Sequence, residues 1–198
     1  IEYQLGNLLA DPLKGKSWPG ASPQLKAGLK MHAHIDAFTD THPQVLISKS
    51  RLGPRGFLRG VVIDITYDYF LSVHWPRYAK RSLADFIDQF HLEAAIAASD
   101  YPKEVKYFID RVIHSQLLSS HQTLSGLEAA LSRIDRRLSA RVLARESAAG
   151  YFPAVQAALP ELEKDFLIFF PELIAFFKSK AMITSQTHWL RETRPLIK

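Results

Sequence analysis

The chain has no cysteine among its 198 residues, which excludes a disulfide framework and any thiolate metal site. His and carboxylate side chains are then the first metal donors to consider, and a reducing, cytoplasmic setting is the expectation. A long hydrophobic run is also missing. The most apolar stretch, Phe166 to Phe177, is interrupted by Pro171 and Glu172 and falls well short of the ~20 apolar residues a membrane span needs. No membrane partner is expected. The opening Ile1-Glu2-Tyr3-Gln4 has neither the basic start nor the apolar stretch of a signal peptide. It also lacks an initiator Met, so native residues ahead of Ile1 are expected.

Several signatures of common enzymes are absent too. There is no Gly-rich phosphate loop, no G-x-S-x-G elbow, no C-x-x-C pair and no H-E-x-x-H helix. The usual nucleotide, serine-hydrolase and zinc-protease readings therefore have no support.

What is present describes a folded domain. Hydrophobic residues are 47% and charged residues 23%, close to globular averages. The length suits a single domain spanning 1–198. The net charge of +5 and pI near 9.4 favour an acidic partner, whether nucleic acid, anionic lipid or acidic protein.

Pro and Gly punctuate the chain at Pro19-Gly20, Pro23, Gly53-Pro54, Pro102 and Pro160. Between these marks the apolar period is near 3.6. Gln24 to Ser50 reads as helix, with Ser22-Pro23 as cap and first-turn proline and Pro43 as a kink or division. Pro54 to Trp75 is apolar nearly all round, which marks a segment buried on most sides. Its run Val61-Val62-Ile63 also suits a strand, but Asp64 and Asp68 recur four apart without alternation, which favours helix. Ser82 to Ser99, Pro102 to Ser119, Ser125 to Ala140 and Glu146 to about Lys180 complete the set, with Pro160 splitting or bending the last. The expectation is an all-α, compact bundle of roughly six or seven helices joined by short loops.

Two stretches concentrate groups capable of chemistry. In Met31-His-Ala-His-Ile-Asp36-Ala-Phe-Thr-Asp40, His32, Asp36 and Asp40 fall at four-residue steps on one helical face, a natural ligand set for a hard metal. Asp64 and Asp68 repeat the device inside the most hydrophobic segment. There an ionised carboxylate costs several kcal/mol unless it is compensated. Arg or Lys pairing, helix capping and a divalent metal are all open. Asp11, in Gly6-Asn-Leu-Leu-Ala-Asp11, is a further candidate that a cap or loop role explains equally well. Arg51, Arg55 and Arg59 can clamp a phosphate or meet an acidic partner, or form a solvated basic face. His34 and His74 neighbour the motifs, whereas His42, His91, His114, His121 and His188 stand on ordinary segments. Phe166, Phe169, Phe170, Phe176 and Phe177 read as core before they read as an acyl trough.

Three ordered segments, Gly6 to Asp11, Gly28 to Asp40 and Gly60 to Trp75, resemble the acyl carrier protein phosphodiesterases, a branch related to the HD-type metal phosphohydrolases. They cover about the first third of the chain, and the helices over 82–198 resemble the family in helical character alone. The resemblance implies an HD-like helical fold. It also implies hydrolysis of the phosphodiester that joins 4'-phosphopantetheine to a serine of holo-acyl carrier protein. The metal it implies is Mn2+, with Mg2+ or Fe2+ as alternatives. Carried over, it makes Asp11, His32, Asp36 and Asp68 metal ligands or water activators, with Asp64 close by. Beside the resemblance, a carboxylate not fully engaged with the metal, Asp64 or Asp36, can activate water, and Arg51, Arg55 and Arg59, just upstream of the third segment, can bind substrate. An acidic carrier protein also accounts for the basic charge, with Lys26, Lys30, Lys49, Arg77, Lys80 and Arg81 as candidate contacts. Rival readings are a nucleotide or nucleic-acid phosphohydrolase with the same centre, ranked below the carrier protein, and a non-catalytic helical binding module. Tyr69 follows Asp68 where many relatives have His.

Overall fold

The computed structural model describes residues 1–115 and 122–179. His121 and His188, and the C-terminal end of the helix expected over Pro102 to Ser119, lie outside the described residues. The described residues form ten α-helices: α1 Glu2–Leu8, α2 Pro23–Thr41, α3 Pro43–Arg51, α4 Arg59–Val73, α5 Leu83–Ala97, α6 Lys103–His114, α7 Leu124–Asp135, α8 Ala140–Leu143, α9 Phe152–Ala157 and α10 Leu159–Ser179. The fold class is all-α, and among the described residues there is no strand. The count exceeds the six or seven expected because short helices and 3-10 turns divide the longer periodic stretches. Among the described residues no helix is long and apolar enough to cross a membrane.

The local signals act where the sequence places them. Ser22 Oγ accepts the Leu25 N–H at 3.0 Å, and Pro23 supplies a first-turn residue with no N–H to satisfy. Pro43 divides α2 from α3, and His42 caps α3 by accepting the Gln44 N–H at 3.2 Å. Ser82 caps α5 through the Asp85 N–H at 3.1 Å. The division near Pro160 falls just before it, with Ala158 between α9 and α10.

The chain divides into two compact units, one of residues 1–39 and 81–119, the other of 40–80 and 120–198. In the first, Leu5 of α1 and Leu9 at its end, Leu25 and Leu29 of α2, Ala94 of α5 and Ala98 just after it, and Val105 and Ile109 of α6 build one core. In the second, α3 and α4 pack on α10, and α7 packs on α4. Tyr67, Phe70, Phe166 and Phe169 stack there at centroid separations of 5.3–5.8 Å. Phe166, Phe169 and Phe177 are buried, as the core reading of these aromatics requires.

Of the helix expected over 54–75, Arg59–Val73 is helical and most of its sides are covered, but the expected burial of its two acids fails. Val62, Ile63, Thr66, Tyr67 and Phe70 of α4 face inward, while Asp64 and Asp68 lie on an exposed strip. The two acids, one turn apart, share the solvent edge of an otherwise apolar helix.

Candidate metal centre

Glycine sets the site. A Cβ on Gly6 would stand 2.0 Å from the Leu25 carbonyl oxygen, and one on Gly28 would stand 2.1 Å from that of Tyr3. The backbones of α1 and α2 therefore touch where these glycines cross, an approach no larger residue permits. One helical turn beyond Gly28 stands His32. Beside Gly6 stands Asn7, and the turns that continue α1 bring up Asp11, so the crossing delivers residues from two motifs to one imidazole.

His32 is the hub. Its Nδ1 faces the Asn7 amide oxygen at 3.4 Å. Its Nε2 faces Asp11 Oδ1 at 3.4 Å and Asp36 Oδ2 at 3.5 Å. The His32 side chain is 26% exposed, while Asp11 and Asp36 are open to solvent at 87% and 56%. Stability does not explain such a cluster, because ion pairs this exposed contribute about 0–1 kcal/mol.

One imidazole and two carboxylates are donor types that suit a divalent cation. In the tautomer that directs Nδ1–H to Asn7, the Nε2 lone pair faces two carboxylates. An outward carbonyl partner of this kind orients metal-binding histidines. The Nε2 to carboxylate distances exceed the 2.7–3.2 Å of good N–H···O bonds. They approach the ~3.0–3.4 Å that separates two donors each about 2.1 Å from one cation. Among the described residues no group of three or more His, Asp or Glu side chains stands close enough together to hold a metal ion as placed. The arrangement is open, with His32 between two exposed carboxylates.

The structure does not keep Asp40 with this set, although the four-residue spacing is real. Asp40 receives the Lys49 ammonium at 3.1 Å. Asp64 and Asp68 belong to the other unit. Solvent reaches Asp68, yet its carboxyl is pushed up to about 7, first by desolvation and then by the charge of Asp64.

The three arginines part company. Arg51 forks onto buried Asp165, with Nε donating to Oδ2 at 2.7 Å and Nη2 to Oδ1 at 3.2 Å. Ser48 Oγ donates to the same carboxylate at 2.8 Å. Arg59 spans the loop ahead of its own helix, donating to the carbonyls of Lys49, Gly53 and Gly56 at 2.5–3.2 Å. Arg55 alone of the three is exposed with no partner among the described residues.

Sequence reasoning missed Asn7, although it precedes Asp11 by four residues in the same motif, a spacing that could have flagged it. It also set aside His42 and His74. His42 Nε2–H donates to Glu172 at 3.0 Å, and His74 Nε2–H donates to Glu163 at 2.6 Å. Both partners lie on α10, far along the chain, and no local pattern announces them.

No solved structure matches this chain. Relatives described as acyl carrier protein phosphodiesterases match it along most of its length. The protein of that description from Salmonella paratyphi A is 25% identical over 185 residues, covering 89% of this chain and 91% of the relative. That from Enterobacter sp. (strain 638) is 24% identical over 179 residues, with the same coverage. The family described as acyl carrier protein phosphodiesterase matches residues 1–173, a span holding the glycine crossing and the His32 cluster, and the chain therefore belongs to that family.

Proposed function

We propose that the protein hydrolyses the phosphodiester between 4'-phosphopantetheine and a serine of holo-acyl carrier protein, assisted by a divalent metal. Water adds across the bond from phosphorus to the serine oxygen, which breaks. The serine hydroxyl is restored, and phosphopantetheine leaves with its phosphate. The observation that carries this reading is His32 Nε2, flanked by Asp11 and Asp36 at 3.4 and 3.5 Å, in a chain of the family just named.

His32, Asp11 and Asp36 would hold the cation, with Mn2+ first and Mg2+ or Fe2+ as alternatives. When bound, such a cation polarises a phosphoryl oxygen and lowers the pKa of bound water. Asn7 holds the imidazole so that Nε2 presents its lone pair. Asp36, the partner on His32's own helix, can take a proton from the attacking water. The family resemblance alone gives Asp64 a role in water activation and Asp68 a role in ligation. Arg55 is the arginine left for a phosphate or a carrier-protein carboxylate, since Arg51 and Arg59 hold the fold.

Mass spectrometry of holo-acyl carrier protein incubated with the protein tests this reading. Loss of the phosphopantetheine mass that depends on added Mn2+ and survives an excess of nucleotides supports it. An intact holo-protein in the presence of folded, metal-loaded protein rejects the substrate assignment.

A further inference from the structure

The elbow that joins α7 to α8 is a cationic surface whose neighbouring acids are already engaged. Between Arg133 and Glu146 the chain carries five arginines and two acids. Asp135 accepts from Ser147 Oγ and the Ala148 N–H at 2.6 Å and from the Ala149 N–H at 3.2 Å. Glu146 accepts the Phe57 and Leu58 N–H groups at 2.9 Å and the Tyr151 hydroxyl at 2.7 Å. Each carboxylate thus satisfies three neutral donors of the protein body and forms no ion pair with Arg136, Arg137, Arg141 or Arg145.

Arg136, Arg137, Arg141 and Arg145 are exposed and have no side-chain partner among the described residues. Half-buried Arg133 is held below the usual guanidinium value, first by desolvation and then by the charges of Arg136 and Arg137, so the cations crowd one another. The backbone beneath them is ordered by hydrogen bonds. Arg137 N–H donates to Ile134 at 2.8 Å, Leu138 N–H to Asp135 at 3.1 Å, and Glu146 N–H to Val142 at 3.0 Å. Arg141 and Arg145 are four residues apart, at the start of α8 and just past its end, and Leu143 at the end of that helix is 43% exposed.

We propose that this elbow is the docking surface for the acidic face of an acyl carrier protein, an inference that rests on the function proposed above. Unpaired guanidiniums offer planar forks to carboxylates. A concentrated patch of one sign steers an oppositely charged partner and raises its rate of encounter. Exposed Leu143 favours a protein over a nucleic acid, because an aliphatic side chain on an acidic helix can cover it and a sugar-phosphate backbone cannot.

The test measures binding of apo-acyl carrier protein, which lacks the scissile group, to the full chain and to two charge-matched double variants, R141E/R145E and K103E/K106E. Lys103 and Lys106 are exposed on α6, away from the elbow in sequence. The expected result is at least a tenfold loss of affinity in R141E/R145E, steep salt dependence in the parent, and less than a twofold change in K103E/K106E. Equal losses in the two variants, or none in either, overturn the proposal. So does loss of binding to a single-stranded RNA 20-mer with carrier-protein binding intact, which would make the surface a nucleic-acid site. R136S/R137S, which leaves α8 untouched, repeats the test should R141E/R145E fold poorly. Phosphopantetheine release from holo-protein is followed in parallel. Release by the parent with an unchanged KM in R141E/R145E rejects the docking surface and leaves the function standing. No release by the parent rejects both.

Discussion

Gly6 and Gly28 lie against each other so closely that a Cβ on either would fall within about 3.0 Å of the other's Cα, besides striking a carbonyl oxygen. This contact fixes α1 on α2 and thereby sets Asn7 and Asp11 around His32. The first prediction concerns it directly. Gly28→Ala or Gly6→Ala should destabilise the protein by about 3 kcal/mol, at the upper end for overpacking, and should also depress activity by displacing α1. Thermal unfolding beside a turnover assay checks this, and a fully stable, fully active Gly28→Ala protein would contradict it.

Activity and stability should separate at the hub. His32→Ala is expected to lower turnover by a factor of roughly 100 or more, in line with losing a positioned catalytic or ligand group. Its stability should change by less than about 1 kcal/mol, because the pairs it breaks are exposed. Equal losses of both would make His32 a structural residue.

At Arg51 the balance should reverse. Its fork neutralises the buried Asp165, so Arg51→Ala leaves a carboxylate enclosed without its cation and should cost about 3–5 kcal/mol. Denaturant unfolding measures this. A KM increase for the carrier protein at unchanged stability would instead return Arg51 to substrate binding.

Asp68 gives a pH dependence with a definite sign. Its folded carboxyl titrates at about 7, above the ordinary unfolded value near 4, so the folded state binds the extra proton between those two points. Its contribution is then neutral below about 4 and increasingly destabilising as pH rises towards 7. Metal-free Asp68→Asn protein should lose this slope and melt higher than the parent at pH 7.5. Parallel melting profiles from pH 5 to 8 would contradict the assignment.

Much of the fold was legible because helical periodicity and caps are local. Ser22, Ser82 and Pro43 act within three residues of themselves, so short windows suffice to read them. Within the site, His32 and Asp36 could be named from their four-residue spacing and Asp11 from the family resemblance, and the structure brings all three together. The burial of Asp64 and Asp68 was misjudged because an apolar segment can still keep one narrow solvent edge. The choice of that edge depends on where α7 and α10 pack against α4. Arg51, Glu146 and the glycine crossing act through partners distant in sequence, Asp165, Leu58 and Leu25 among them, and no window contains both ends. The arginine run from 133 to 145 was visible as charge. Its meaning required seeing that Asp135 and Glu146 are spent on backbone N–H groups.

The central claim is that His32, Asp11 and Asp36 hold the cation that serves hydrolysis. The most direct measurement is Mn2+ affinity by electron paramagnetic resonance, paired with phosphopantetheine release, in the parent and in His32→Ala. The account predicts that the parent binds Mn2+ and releases phosphopantetheine, and that His32→Ala weakens binding at least tenfold, as losing a ligand shell demands, and abolishes release. Unchanged Mn2+ affinity and undiminished release in a folded His32→Ala protein would contradict it.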